Sequence, residues 1–100
     1  MYIANAFSLQ MTSTFPATFT VVEVDPKDIP VDIQSAIGHT DTAAVVSGIL
    51  GIDLPAARVN VALSSGDTLF VAQVVGGRLP EGTTTLPAGV SLKFLRVDIA

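Results

Sequence analysis

The chain contains one histidine and no cysteine, so proton transfer near neutral pH falls to a single side chain. His39 stands between Gly38 and Thr40, at the entry to the clearest helical pattern of the sequence. An imidazole with a solution pKa of about 6.5 gives and takes protons near neutrality. The backbone N–H groups that open a helix, here those beside Gly38 and Thr40, are unpaired, and the helix dipole adds partial positive charge there. Such a terminus suits a phosphate. A titrating imidazole beside it supplies the parts of general acid catalysis at a phosphodiester. A plainer reading of the same residues is a Gly-His turn in which His39 only helps to cap the helix.

Arg78 and Glu81 share the stretch Gly76-Gly77-Arg78-Leu79-Pro80-Glu81-Gly82, and Glu81 is one of only two glutamates. A guanidinium stabilises charge on phosphate oxygens, and a carboxylate holds a ribose hydroxyl or orients a base. A surface ion pair worth about 0–1 kcal/mol would have the same spacing. The glycine-bracketed setting favours function slightly, because catalytic side chains often ride on loops held by a rigid sheet. Arg58 opens an alternating segment and faces away from Val59 and Val61, either into solvent or toward a second phosphate. Asn5 and Ser8 fall on opposite faces of the first strand pattern if it is regular, so either one of them sits among core-facing residues and needs a partner, or the strand ends before Ser8. Either could line a cleft. Asp41 and Thr42 read most simply as first-turn helix chemistry.

Composition narrows the partners. Five Lys+Arg against nine Asp+Glu give a net charge of −4. A pI near 4.5 argues against a broad basic surface for duplex DNA or an anionic membrane. A small anion held by one or two arginines and backbone amides remains compatible with that charge. The absence of cysteine removes disulfides, iron–sulfur clusters and thiol catalysis, and one histidine makes a catalytic zinc site improbable. Neither a G-x-S-x-G elbow nor a phosphate-binding Walker loop occurs, and Gly76-Gly77 is too short for a dinucleotide fingerprint. No cofactor and no metal is expected. The first residues lack a basic leader, and the longest apolar stretch, 43–52, is far short of the roughly 20 residues of a membrane helix. The expectation is a soluble intracellular protein.

The elements that must position these residues are legible in outline. With 100 residues, 49% of them hydrophobic and 14% charged, the chain reads as one domain, 1–100, with ample core. Residues 2–9 alternate as a strand, and residues 17–24 form a β-branched and aromatic run. Residues 40–50 make the best helix, with Thr40, Asp41 and Thr42 at its start and Gly51 just past its end. It is apolar nearly all round, which places it in the core, with Gly48 allowing close approach of a neighbour. Residues 58–63, with Val59, Val61 and Leu63 inward, and 68–75 form a hairpin across Ser64-Ser65-Gly66-Asp67. Residues 83–89 are irregular, and 90–99 form the last strand with Leu92, Phe94 and Leu95 as core candidates. These make an α+β domain, a mixed five-stranded sheet with a helix packed on one face.

Four segments then occur in order. They are Tyr2-Ile3-Ala4-Asn5-Ala6-Phe7-Ser8, Ser35-Ala36-Ile37-Gly38-His39-Thr40-Asp41-Thr42-Ala43, Asn60-Val61-Ala62-Leu63 through Gly66-Asp67, and Arg78-Leu79-Pro80-Glu81-Gly82. Together they resemble the viral ring nuclease family, small anti-CRISPR proteins of archaeal viruses and phages that act on type III immunity. The likeness spans nearly the whole chain. Its most specific parts are the N-terminal strand and the Gly-His turn. The resemblance implies degradation of cyclic tetra-adenylate by a compact, metal-independent homodimer in the host cell cytoplasm. It implies His39 as the catalytic histidine, Glu81 as the matching glutamate, Arg78 and Arg58 on phosphate, and Asn5 and Ser8 lining the pocket. Relatives often carry an extra helix where this chain has the Thr- and Pro-rich stretch 83–89.

That chemistry needs no group the chain lacks. A ribose 2′-hydroxyl attacks its own adjacent phosphorus, expels the 5′-oxygen and leaves a 2′,3′-cyclic phosphate. The protein must hold the hydroxyl in line, protonate the leaving oxygen and stabilise charge on phosphate. A ring of two-fold symmetry fits a C2 dimer with His39 on both sides, giving two cuts and two linear di-adenylates. Two other functions compete: a non-catalytic module that sequesters a cyclic nucleotide, and a viral nucleic-acid-binding or structural protein, against which the net charge weighs.

Overall fold

An almost unbroken apolar run and a run that intersperses apolar with polar residues build the longest strands of the computed structural model, which describes residues 1–100. In chain order the elements are β1 (Tyr2–Ala4), β2 (Phe19–Val24), β3 (Gln34–Ala36), α1 (Thr40–Leu50), β4 (Thr68–Val75) and β5 (Ser91–Ile99). Two short 3-10 turns, Leu9–Met11 and Pro26–Asp28, interrupt the connections. The expected α+β class is the one adopted: five strands in one mixed sheet, ordered β2-β5-β4-β1-β3, with a single α-helix.

Direction within that sheet decides where chemistry can sit. β1 runs parallel to both β3 and β4, with Ala4 beside Ala36 and Val71. β5 runs antiparallel to β4 and β2. The carboxyl ends of β1, β3 and β4 therefore open on one edge, and ligands of open α/β sheets collect outside such ends.

Both faces of the sheet are covered. On one, α1 lays Ala43 and Val46 against Ile3, Ile37, Phe70, Ala72 and Phe94. On the other, Val61 and Leu63 pack with Ala4, Ala36, Leu69, Val71 and Val97, and Phe7 meets Phe19 edge-on with centroids 5.1 Å apart. α1 has the bounds its sequence predicts, and Gly51 ends it in the left-handed region at φ +70°.

Several expectations change. The segment 58–63 is not a strand, and there is no hairpin with β4. Its alternation is real, since Val61 and Leu63 are buried, but it serves to cover the sheet, not to extend it. The Leu63 N–H donates to the Met11 carbonyl at 2.6 Å, and the Ala57 N–H to the Ile37 carbonyl at 2.8 Å, so no ladder forms. Val59, expected inward, is 39% exposed. The fifth strand is instead β3, held by parallel pairing with β1. β1 stops at Ala4 and does not reach residue 9. α1 lies on one face of the sheet with Ile49 exposed, and a Cβ at Gly48 would meet nothing within 4 Å, so that glycine serves no close approach. Residues 83–89 are irregular, as the sequence predicts.

Candidate functional site

Three strand ends deliver the site. Asn5 follows β1, Ile37-Gly38-His39 follows β3, and Gly76-Gly77-Arg78 follows β4. Ile37 is fully buried and so anchors the turn that carries His39. The turn is tied to its neighbour by the Gly38 N–H, which donates to Asn5 Oδ1 at 3.4 Å. The stem of Arg58 crosses directly above, since a Cβ at Gly38 would lie 3.3 Å from Arg58 Cγ.

His39 occupies the N-cap position of α1 with extended backbone (φ −121°, ψ 124°). Its carbonyl accepts the first helical bond, from the Ala43 N–H at 3.0 Å. Its side chain makes no capping hydrogen bond, so the plainer reading of a cap does not describe the imidazole. The residue is exposed, and its ring is available to a ligand.

Three clefts meet at His39. The first, of about 480 Å³, is lined by Asn5, Thr42, Gln73, Gly77 and Arg78 besides the histidine. The second, of about 640 Å³, adds Gly38, Thr40, Asp41, Arg58, Glu81 and Gly82. The third, of about 450 Å³, runs from Asn5 and Ala6 past Gly38 to Arg58 and Asn60. Of the residues that sequence singled out, Asn5, Gly38, Thr40, Arg58, Arg78 and Glu81 thus gather around His39. Ser8 lies elsewhere: its hydroxyl accepts the Gln10 N–H at 3.2 Å and caps the first 3-10 turn.

The two arginines are not together. Arg78 lines a cleft with no carboxylate, while Arg58 lies between the cleft that holds Asp41 and Glu81 and the carboxylate-free one that runs past Asn60. The Arg78 cleft is lined by a guanidinium, Thr42 and the carboxamides of Asn5 and Gln73 with no carboxylate, a composition that suits an anion. The Arg58 side pairs a cation with acceptors and suits groups that donate hydrogen bonds, such as sugar hydroxyls. Gln73 was not anticipated. Its signal is that it is the one amide inside an otherwise apolar stretch, Leu69-Phe70-Val71-Ala72-Gln73-Val74-Val75.

No group of three His, Cys, Asp or Glu side chains is gathered as a metal site would require. The carboxylate with a perturbed equilibrium is remote from His39. Asp98 accepts from Thr68 Oγ1 at 2.6 Å and from Arg96 Nε at 2.9 Å, at the opposite end of β4. The Thr68 hydrogen bond, followed by that of Arg96 and its charge, holds its carboxyl below the usual value. No helix is long and apolar enough to cross a membrane.

Comparison with known proteins adds two findings. Residues 1–89 match the family model described as STIV B116-like. Among solved structures, B116 of Sulfolobus turreted icosahedral virus matches with a TM-score of 0.78 at 26% identity, over 97% of this chain and 97% of that one. Comparison with curated proteins returns no match.

Proposed function

The chain belongs to the STIV B116-like family, a family named for a viral protein, and on that premise we propose that it is a ring nuclease that opens cyclic tetra-adenylate without a metal ion. Acting in the cytoplasm of the host cell, it would destroy the second messenger of type III CRISPR immunity. The observation that supports this most is an exposed imidazole with no capping role, placed where a carboxylate-free arginine cleft meets one containing Glu81.

In the proposed reaction the scissile phosphate lies on the Arg78 side, and the attacking 2′-hydroxyl is oriented by Glu81. The bond from O2′ to phosphorus forms as the O2′ proton passes to water, the bond from phosphorus to O5′ breaks, and the His39 imidazolium gives its proton to O5′, to be reprotonated from solvent. Arg78 stabilises the charge that grows on the non-bridging oxygens. Asn5 and the backbone beside Gly38 and Thr40 hold the nucleotide. Arg58 contacts the ligand from the Glu81 side. Two copies related by a two-fold axis would present two such sites to one ring and release two linear di-adenylates.

The test is incubation of the protein with cyclic tetra-adenylate in excess chelator, wild type beside His39→Ala, with chromatography of the products. Linear di-adenylates ending in a 2′,3′-cyclic phosphate, with a loss of about 10²–10⁴-fold in the variant, are expected. An intact ring bound by the wild type would instead identify a sequestering protein.

A further inference from the structure

The loop 76–90 carries Arg78 and Glu81, yet it is poorly tied to the molecule. Its own backbone bonds are local, from the Thr83 N–H to the Pro80 carbonyl at 3.1 Å and from the Val90 N–H to the Pro87 carbonyl at 3.2 Å. Beyond its neck at the ends of β4 and β5, one hydrogen bond joins it to the rest of the chain. The Gly82 N–H donates to Asp41 Oδ1 at 3.1 Å, across 41 positions of sequence.

The two partners are unequal in rigidity. Asp41 sits in the first turn of α1, two residues after His39, where the helix dipole favours a carboxylate. The acceptor is thus fixed by the helix, and the loop is the part that is held. The bond grips the peptide joining Glu81 to Gly82, on the rim of the cleft that also contains His39 and Arg58.

We propose that Asp41 is a positioning residue, a latch that holds the loop against the start of α1 and so sets Glu81 at working distance from His39. The inference rests on the ring-nuclease reading for its catalytic consequence. The latch itself is a property of the protein alone. Ordering the loop in advance avoids that cost at the moment of reaction, and misplacement of a positioned group by about 1 Å can cost 10²-fold in rate.

The test compares Asp41→Ala with Asp41→Asn. Asparagine keeps an oxygen at the accepting position and loses the charge, whereas alanine loses both. Two measurements are made: single-turnover opening of cyclic tetra-adenylate at saturating ligand, with its Kd, and amide hydrogen exchange across 76–90 without ligand. The alanine variant should slow ring opening by about 10–100-fold, with a much smaller change in Kd. It should also raise exchange over 76–90 while leaving β4 and β5 protected. The asparagine variant should recover most of both losses. Equal loss in the two variants would show that only the charge matters and overturn the latch. So would unchanged exchange in the alanine variant, or unchanged turnover despite faster exchange. If the wild type leaves the ring intact, the ring-nuclease reading fails, and with it Asp41's catalytic role. Exchange then separately decides whether Asp41 holds the loop.

Discussion

Gly76 presses its bare Cα against the carbonyl oxygen of Gly89, so closely that a β-carbon at Gly76 would overlap that oxygen. The contact pinches the loop 76–90 shut just beyond the last ladder pair, Val75 with Ser91. Gly76 also lies at φ +95°, where an L side chain is strained whatever the space around it. Both costs fall on one substitution.

Gly76→Ala should therefore destabilise the fold by about 1–3 kcal/mol, the usual range for backbone strain of this kind. Chemical denaturation measures it. A stability equal to wild type would mean that the neck opens at little cost.

Gly48→Ala should act in the opposite direction. Gly48 is an exposed residue inside α1, and its Cβ would meet nothing within 4 Å. Alanine in a helix interior is better than glycine by about 0.5–1 kcal/mol, chiefly because the unfolded chain has less freedom to lose. Thermal unfolding should shift upward by a few degrees, at about 4–8 °C per kcal/mol for a domain of this size. A lower midpoint would reveal a contact that this face of the helix hides.

What could be read in the sequence follows the range of the interactions involved. α1 was legible to the residue because its signals, a polar entry and Gly51 at the exit, are local. β4 and β5 were legible because a run of apolar and β-branched residues bounded by glycine-containing turns is a local signal too. β3 was not, since Gln34-Ser35-Ala36 has no pattern of its own and becomes a strand only by pairing with β1. The segment 58–63 misled for the same reason. Its alternation reports a buried face, and only tertiary structure says whether the backbone joins a ladder or, as with the Leu63 N–H on the carbonyl of Met11 in a 3-10 turn, bonds outside one. At the site, residue type marked His39, Arg78, Glu81, Arg58, Asn5 and Ser8 only as candidates, the family resemblance gave them roles, and Ser8 lies outside the clefts around His39. The separation of the two arginines was invisible, because it depends on which strand ends lie side by side.

Asp98 gives the fold a dependence on acid. Its carboxyl is held below the usual value by the Thr68 hydroxyl first and then by Arg96. The folded state therefore binds fewer protons than the unfolded one near that pKa. The stabilisation is complete above the unfolded value, about 3.9 for an aspartate, and is lost as pH falls through the lower folded value. Thr68→Val removes the principal cause, so its stability should fall less steeply with acid below about pH 4 than that of the wild type. Equal slopes in parallel denaturation series from pH 6 to pH 2 would show that Asp98 has no part in acid sensitivity.

Because Arg78 and Arg58 line different clefts, their removal should have different kinetic signatures. Arg78 has no carboxylate in its cleft, and on the ring-nuclease proposal its charge would act on a phosphate, more strongly as negative charge grows in the transition state. Arg78→Ala should lower the rate at saturating cyclic tetra-adenylate by about 10²–10³-fold, the usual cost of losing one donor aimed at developing charge. Arg58 shares one of its clefts with Asp41 and Glu81, and on the ring-nuclease proposal its contact with the ligand would be made before and during reaction alike. Binding that is uniform across ground and transition states changes affinity and leaves the chemical step alone. Arg58→Ala should accordingly weaken binding while single-turnover rates at saturation stay within a few fold of wild type. Equal losses of rate at saturation in both variants would place the two guanidinium groups on the same phosphate and contradict the separation of the clefts.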